Sequence, residues 1–243
     1  IYWRIGRYED ASLANIAAAK VDEDYIAQCN AQGFYPALYY PHNVHFLWAS
    51  STMEGMSQLS IDSAVKVSNY VSVEQIKNIP FLEFFHTTPL LSYVRFAKWD
   101  DIIAYERPDK DFKYSNSIYD YSLSIAHAAK GHIEEANKYQ SRILNEINSE
   151  QVGKMVEAGH PTKSLMKIAS LLSKGSISMY ANNYDYAIEL FKEAVALQDT
   201  LPYTEPPFWY YPTRQTLGHA LLTKGSYKEA LRVFKKDLED YPR

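Results

Sequence analysis

Apolar positions recur along the chain with helical spacing. Ile118, Tyr121, Ile125 and Ala128 follow one another at steps of three and four, and Ala169, Leu172, Ser176 and Met179 repeat the pattern. Such steps put side chains on one helix face. Short motifs punctuate these runs. Gly6-x-Tyr8-x-x-Ala11, Gly131-x-Ile133-x-x-Ala136, Asn182-x-Tyr184-x-x-Ala187 and Gly225-x-Tyr227-x-x-Ala230 share one spacing. Gly175, Tyr184, Ala187 and Phe191 recur at one offset as Gly218, Tyr227, Ala230 and Phe234. A Gly or Asn there can take the left-handed conformation that ends a helix. The Ala lets the next helix approach closely, and the Phe fills the seam. Weaker copies lie at Gly55–Ala64 and Phe96–Ile102.

The spacing predicts about six helix pairs in one domain over residues 1–243. Helix B of the first pair spans 9–21, with its helix A cut off by the start of the chain, and an added helix covers 22–32. The further pairs are 42–54 with 58–70, 74–86 with 89–106, 117–129 with 133–149, 161–181 with 184–198, and 211–224 with 227–240. Arg107–Ser115 reads as a polar connector. Thr200–Pro212 contains four prolines and cannot be continuous helix.

This pattern resembles the tetratricopeptide repeat, a helix pair of about 34 residues with small, aromatic and Pro positions. The resemblance implies an all-α, right-handed solenoid with truncated terminal repeats. A narrower likeness rests on Arg4-Ile5-Gly6-Arg7-Tyr8, Tyr40-Pro41-His42-Asn43-Val44-His45-Phe46, Arg95-Phe96-Ala97-Lys98-Trp99 and Glu205-Pro206-Pro207-x-Trp209. Together these stretches resemble a largely uncharacterised family of bacterial tetratricopeptide proteins, over almost the whole chain. That likeness implies a His-rich helical segment before Ile1 and an Asn-Gly-Trp segment after Arg243. The family's usual Gly is Ala97 here.

Composition narrows the classes. The chain is 47% hydrophobic and 22% charged, ample for a buried core. A net charge of −4 argues against a general binder of nucleic acid or anionic membranes. Nine Gly and eleven Pro are too few for an all-β chain with frequent turns. One cysteine, Cys29, excludes an internal disulfide and reads as a buried or half-buried thiol. No apolar run approaches the length of a membrane span, and no secretory leader is visible. The chain opens on Ile rather than Met and reads as a fragment or processed product, so the compartment stays open.

Two segments carry candidate chemistry. His42 and His45 lie three apart at the start of a helix, on one face. In the tetratricopeptide register that face lines the concave groove. The pair could supply two ligands to a divalent metal ion, completed by His86, Glu205 or upstream residues. The bland alternative has His42 bonded to the preceding loop and His45 packed on Trp48. In the Tyr203–Arg214 loop, Glu205 sits before two prolines, Trp209 offers stacking surface, and Arg214 is a planar double donor. The alternative there is an internal Glu205–Arg214 ion pair. Tyr121 and His219 fall at groove-facing positions, whereas His127 reads as a core histidine and His132 and His160 as surface caps.

Three functions follow as expectations. The first is a scaffold whose apolar, aromatic groove takes a peptide, a partner protein or a small apolar ligand. The second is a metal-binding protein or metal-dependent enzyme built on His42 and His45. The third is a structural subunit of an assembly, associating through exposed terminal helices. If one shared site exists, His42, His45, Glu205 and Arg214 should face a single cavity walled by Trp209.

Overall fold

The computed structural model describes residues 1–29 and 39–241. The described residues are all-helical, without strands. The thirteen α-helices are α1 (Tyr8–Cys29), α2 (Tyr40–Glu54), α3 (Ser57–Tyr70), α4 (Val73–Asn78), α5 (Thr88–Arg95), α6 (Trp99–Ala104), α7 (Lys113–Ala129), α8 (Ile133–Gln140), α9 (Glu150–Glu157), α10 (Thr162–Tyr180), α11 (Tyr184–Gln198), α12 (Arg214–Lys224) and α13 (Tyr227–Asp240). Short 3-10 helices cover Tyr2–Ile5 and Pro80–Thr87.

The local motifs do what their spacing predicts. Gly6, Gly131, Asn182 and Gly225 all have positive φ, and Asn182 reaches it at 59° without being glycine. A new helix begins two residues after each of them. The alanine five residues on is buried in every case: Ala11, Ala136, Ala187 and Ala230. Ala97 is likewise left-handed, with φ 55°. The Gly–Phe seam also recurs. An added Cβ on Gly175 would lie 2.3 Å from the Phe191 ring, and one on Gly218 would lie 2.4 Å from Phe234.

Helices next to each other in sequence pack as pairs, notably α2 with α3, α7 with α8, α10 with α11 and α12 with α13. The pairs join through α3 on α5, α5 on α7, α7 on α10 and α11 on α12. One apolar core runs through most of these contacts. A second, smaller core gathers Tyr40, Val44, Val67, Ile76, Leu82 and Phe85. Where helices come close, small hydroxyls satisfy one another: Thr52 with Ser60 at 2.7 Å and Ser124 with Ser173 at 2.6 Å.

Several sequence expectations need correction. Residues 9–21 and 22–29 form one unbroken helix, because Lys20-Val21-Asp22-Glu23 contains no breaker. Residues 30–32 lie outside the described residues. The expected helix 74–86 stops at Asn78 and gives way to a 3-10 helix, since Pro80 supplies no N–H donor. The expected helix 89–106 is cut by the left-handed Ala97. The expected helix 133–149 ends at Gln140, a turn-rich stretch follows, and α9 was not anticipated. The polar connector closes early, because α7 already begins at Lys113. Cys29 is exposed rather than buried.

A buried carboxyl ties the 3-10 helix to α7. Glu83 is fully buried and accepts a hydrogen bond from the Ser115 backbone N–H at 2.8 Å. It thereby caps the first turn of α7, where the helix dipole favours an anion. Burial nevertheless raises its pKa. Nothing in the local sequence marks this long-range cap.

Candidate functional site: an aromatic cavity

The break at Pro80 shapes the site. The 3-10 helix turns Phe81, Phe84 and Phe85 towards the first turns of α2, where Pro41 holds the helix start and presents His42 and His45. With α5, Tyr114 of α7, the Ala158–His160 turn and the Thr204–Phe208 loop, these residues enclose a cavity of about 520 Å3. That volume lies within the range of small-molecule sites. Its walls are mostly rings.

His45 is buried, with its ring stacked on Trp48 (centroids 5.0 Å apart, planes at 26°). Phe84 and Phe85 meet it edge-on at 5.1 and 5.2 Å. Trp48 is itself fixed, donating from Nε1 to Ser92 Oγ at 2.7 Å. Burial, with a smaller contribution from His42, pushes the His45 pKa down to about 3. His42 stands exposed at the mouth with its ring edge on Phe46 at 4.8 Å, and desolvation lowers its pKa also. The packing of His45 on Trp48 matches the bland alternative, yet both histidines line the cavity.

His160 is the residue that sequence reasoning missed. It is buried, not a surface cap. Its ring lies 5.7 Å from Phe84, 5.6 Å from Tyr114 and 5.3 Å from Phe208, and its Nδ1 is 2.7 Å from Thr162 Oγ1. Burial takes its pKa to about 4. The Gly159-His160-Pro161 stretch gives no sign of this, because the partners come from three distant segments.

Glu205 reaches the same cavity, across a cis Glu205–Pro206 peptide bond. Arg4 pairs with it at 3.5 Å, the Tyr203 hydroxyl bonds it, and Arg4 also bonds the Thr204 carbonyl and stacks over the Tyr203 ring at 4.4 Å. The expected Glu205–Arg214 pair does not form. Arg214 binds Asp199 through two hydrogen bonds of 2.8 and 2.6 Å, with Asp240 at 3.4 Å. Arg214 and Trp209 line a different, polar cleft of about 510 Å3 on the other side of the loop. Phe208, not Trp209, walls the aromatic cavity.

The remaining expectations resolve plainly. Tyr121 is a core residue, its hydroxyl 3.1 Å from that of Tyr210 and its ring edge on Trp209. His219 is exposed and outside the cavity. His86 spends Nε2 on the Val71 carbonyl at 2.8 Å and does not reach His42 or His45. His127 is half-buried, stacked on Tyr139 at 5.4 Å, and His132 is exposed as expected. Among the described residues, no three His, Cys, Asp or Glu side chains converge to hold a metal ion. Among them, too, no helix is long and apolar enough to cross a membrane.

Comparison with protein-family models, curated proteins and solved structures yields no match for this chain.

Proposed function

We propose that the chain is a ligand-binding helical repeat protein of the tetratricopeptide type, which takes a small apolar ligand in the aromatic cavity between α2, the Pro80–Thr87 turn and the Thr204–Phe208 loop. One observation carries the reading: a cavity of about 520 Å3 whose walls are aromatic and already packed into place. The repeat reading is supported by the shared left-handed residues and by the duplicated Gly–Phe seam. A metal-centred function would need ligands beyond His42 and His45, and none of the described residues supplies them.

Calorimetric titration with naphthalene tests the proposal. One-site binding is expected, weakened at least tenfold by Phe208→Ala, which removes a wall. Absence of saturable binding would refute it.

A second reading, membership of an assembly, is favoured by large apolar side chains exposed on the outer helices: Leu13, Ile16 and Val21 on α1, and Leu231 and Leu238 on α13. Light scattering across concentration tests it, since a constant monomer mass would exclude self-association.

A further inference from the structure

Resting on the ligand-binding reading, the geometry points to an uncharged aromatic ligand carrying a hydrogen-bonding heteroatom, held against the imidazoles of His45 and His160. Charge on the cavity wall decides against ions. Among the described residues no Lys or Arg lines the cavity, so an anion would find no counter-charge there. Among the described residues Glu205 is the one carboxylate on the wall, and it is already held by Arg4 and Tyr203, so a cation would have to compete for it. Both buried imidazoles stay neutral in this surrounding, which shows how strongly it disfavours charge.

A purely apolar occupant fits less well. Among the described residues nothing hydrogen-bonds the His45 ring, and His160 spends only Nδ1, on Thr162. An occupant that shuts out water without replacing its hydrogen bonds leaves those nitrogens unsatisfied, at a cost of about 1–3 kcal/mol for each buried group. A heteroatom of the ligand removes that cost. The rings of Trp48, Phe84, Tyr114 and Phe208 reward an aromatic body, since ring pairs gain beyond simple area burial.

Naphthalene and quinoline separate these ideas, because they share a shape and differ by one ring nitrogen. Affinities for both, and for decanol and tetrapropylammonium, are measured at neutral pH on the wild-type chain, His45→Phe and His160→Phe. The ratio of quinoline to naphthalene affinity is expected to fall about tenfold in at least one variant. Naphthalene binding should persist there, which also shows that the variant is folded. If neither variant folds, His45→Leu and His160→Leu replace them and should show the same fall in the ratio, because leucine offers no hydrogen bond either, and an unchanged ratio in both overturns the inference as well. An unchanged ratio in both phenylalanine variants overturns the inference, as does tightest binding of decanol or tetrapropylammonium. Those results leave the ligand-binding reading intact. Failure of every probe to bind removes that reading itself.

Discussion

Gly175→Ala should destabilise the protein, although alanine is the better helix former. Gly175 lies inside α10, where exchange for Ala would ordinarily contribute about 1 kcal/mol. The new Cβ would stand 2.3 Å from Phe191 Cε1. Carbon atoms rest at about 3.5–4.0 Å, so the ring or α11 must retreat by more than ~1 Å. Phe191 is only 1% exposed and has no free space to enter. Overpacking of this kind costs about 1–3 kcal/mol, and the tight surroundings place it near the upper end. Offset by the helix gain, the net loss is about 2 kcal/mol, or a fall in Tm of about 4–8 °C for a chain of this size. Gly218→Ala is the internal control. Its Cβ meets Phe234 at 2.4 Å, but that ring is half-buried and can swing outward. The loss there should be within about 1 kcal/mol. Thermal unfolding followed by circular dichroism reads both. A stabilised Gly175→Ala variant, or equal effects at the two glycines, would refute the seam geometry.

Other outcomes follow from the same structure. Ala97→Gly should stabilise by about 0.5–1 kcal/mol in a denaturant melt, because φ 55° strains a residue with a Cβ. Arg214→Lys should lose about 1–2 kcal/mol with its paired bonds to Asp199, yet leave naphthalene affinity unchanged, since it lies across the loop from the cavity. His45 and His160 are held neutral when folded, with pKa values lowered to about 3 and 4, but protonate near 6.5 when unfolded. Their contribution is therefore fully present above pH 6.5 and is lost as pH falls from there towards about 4 for His160 and about 3 for His45, at about 1.4 kcal/mol per pH unit for each fully titrating group. The acid limb of a stability profile should be shallower in His160→Phe than in the wild type, and parallel limbs would contradict the buried, neutral assignment.

The helix pairs were legible where a Gly or Asn, an aromatic and an Ala stand at fixed spacing, because those residues act locally. Asn182 and Ala187 end one helix and seat the next without outside help. Residues 74–106 misled because Pro80 and Ala97 break helices that their apolar content favours. Of the site, His42, His45 and Glu205 were read from sequence and do line one cavity. Trp209 and Arg214 were read with them and face elsewhere, because Trp209 packs into the core against Tyr121 and Tyr210 and Arg214, at the start of α12, turns to Asp199. His160 and Phe84 were invisible, their roles arising from contacts with residues far away in sequence, including each other across more than 70 residues.

The most direct test of the aromatic cavity is a nuclear magnetic resonance titration of quinoline into chain labelled at histidine. The ring signals of His45 and His160 should shift together and saturate at one equivalent, while those of His127, His132 and His219 stay in place. Shifts that never saturate, or that fall on the outer histidines and spare His45 and His160, would contradict the assignment of this cavity as the binding site.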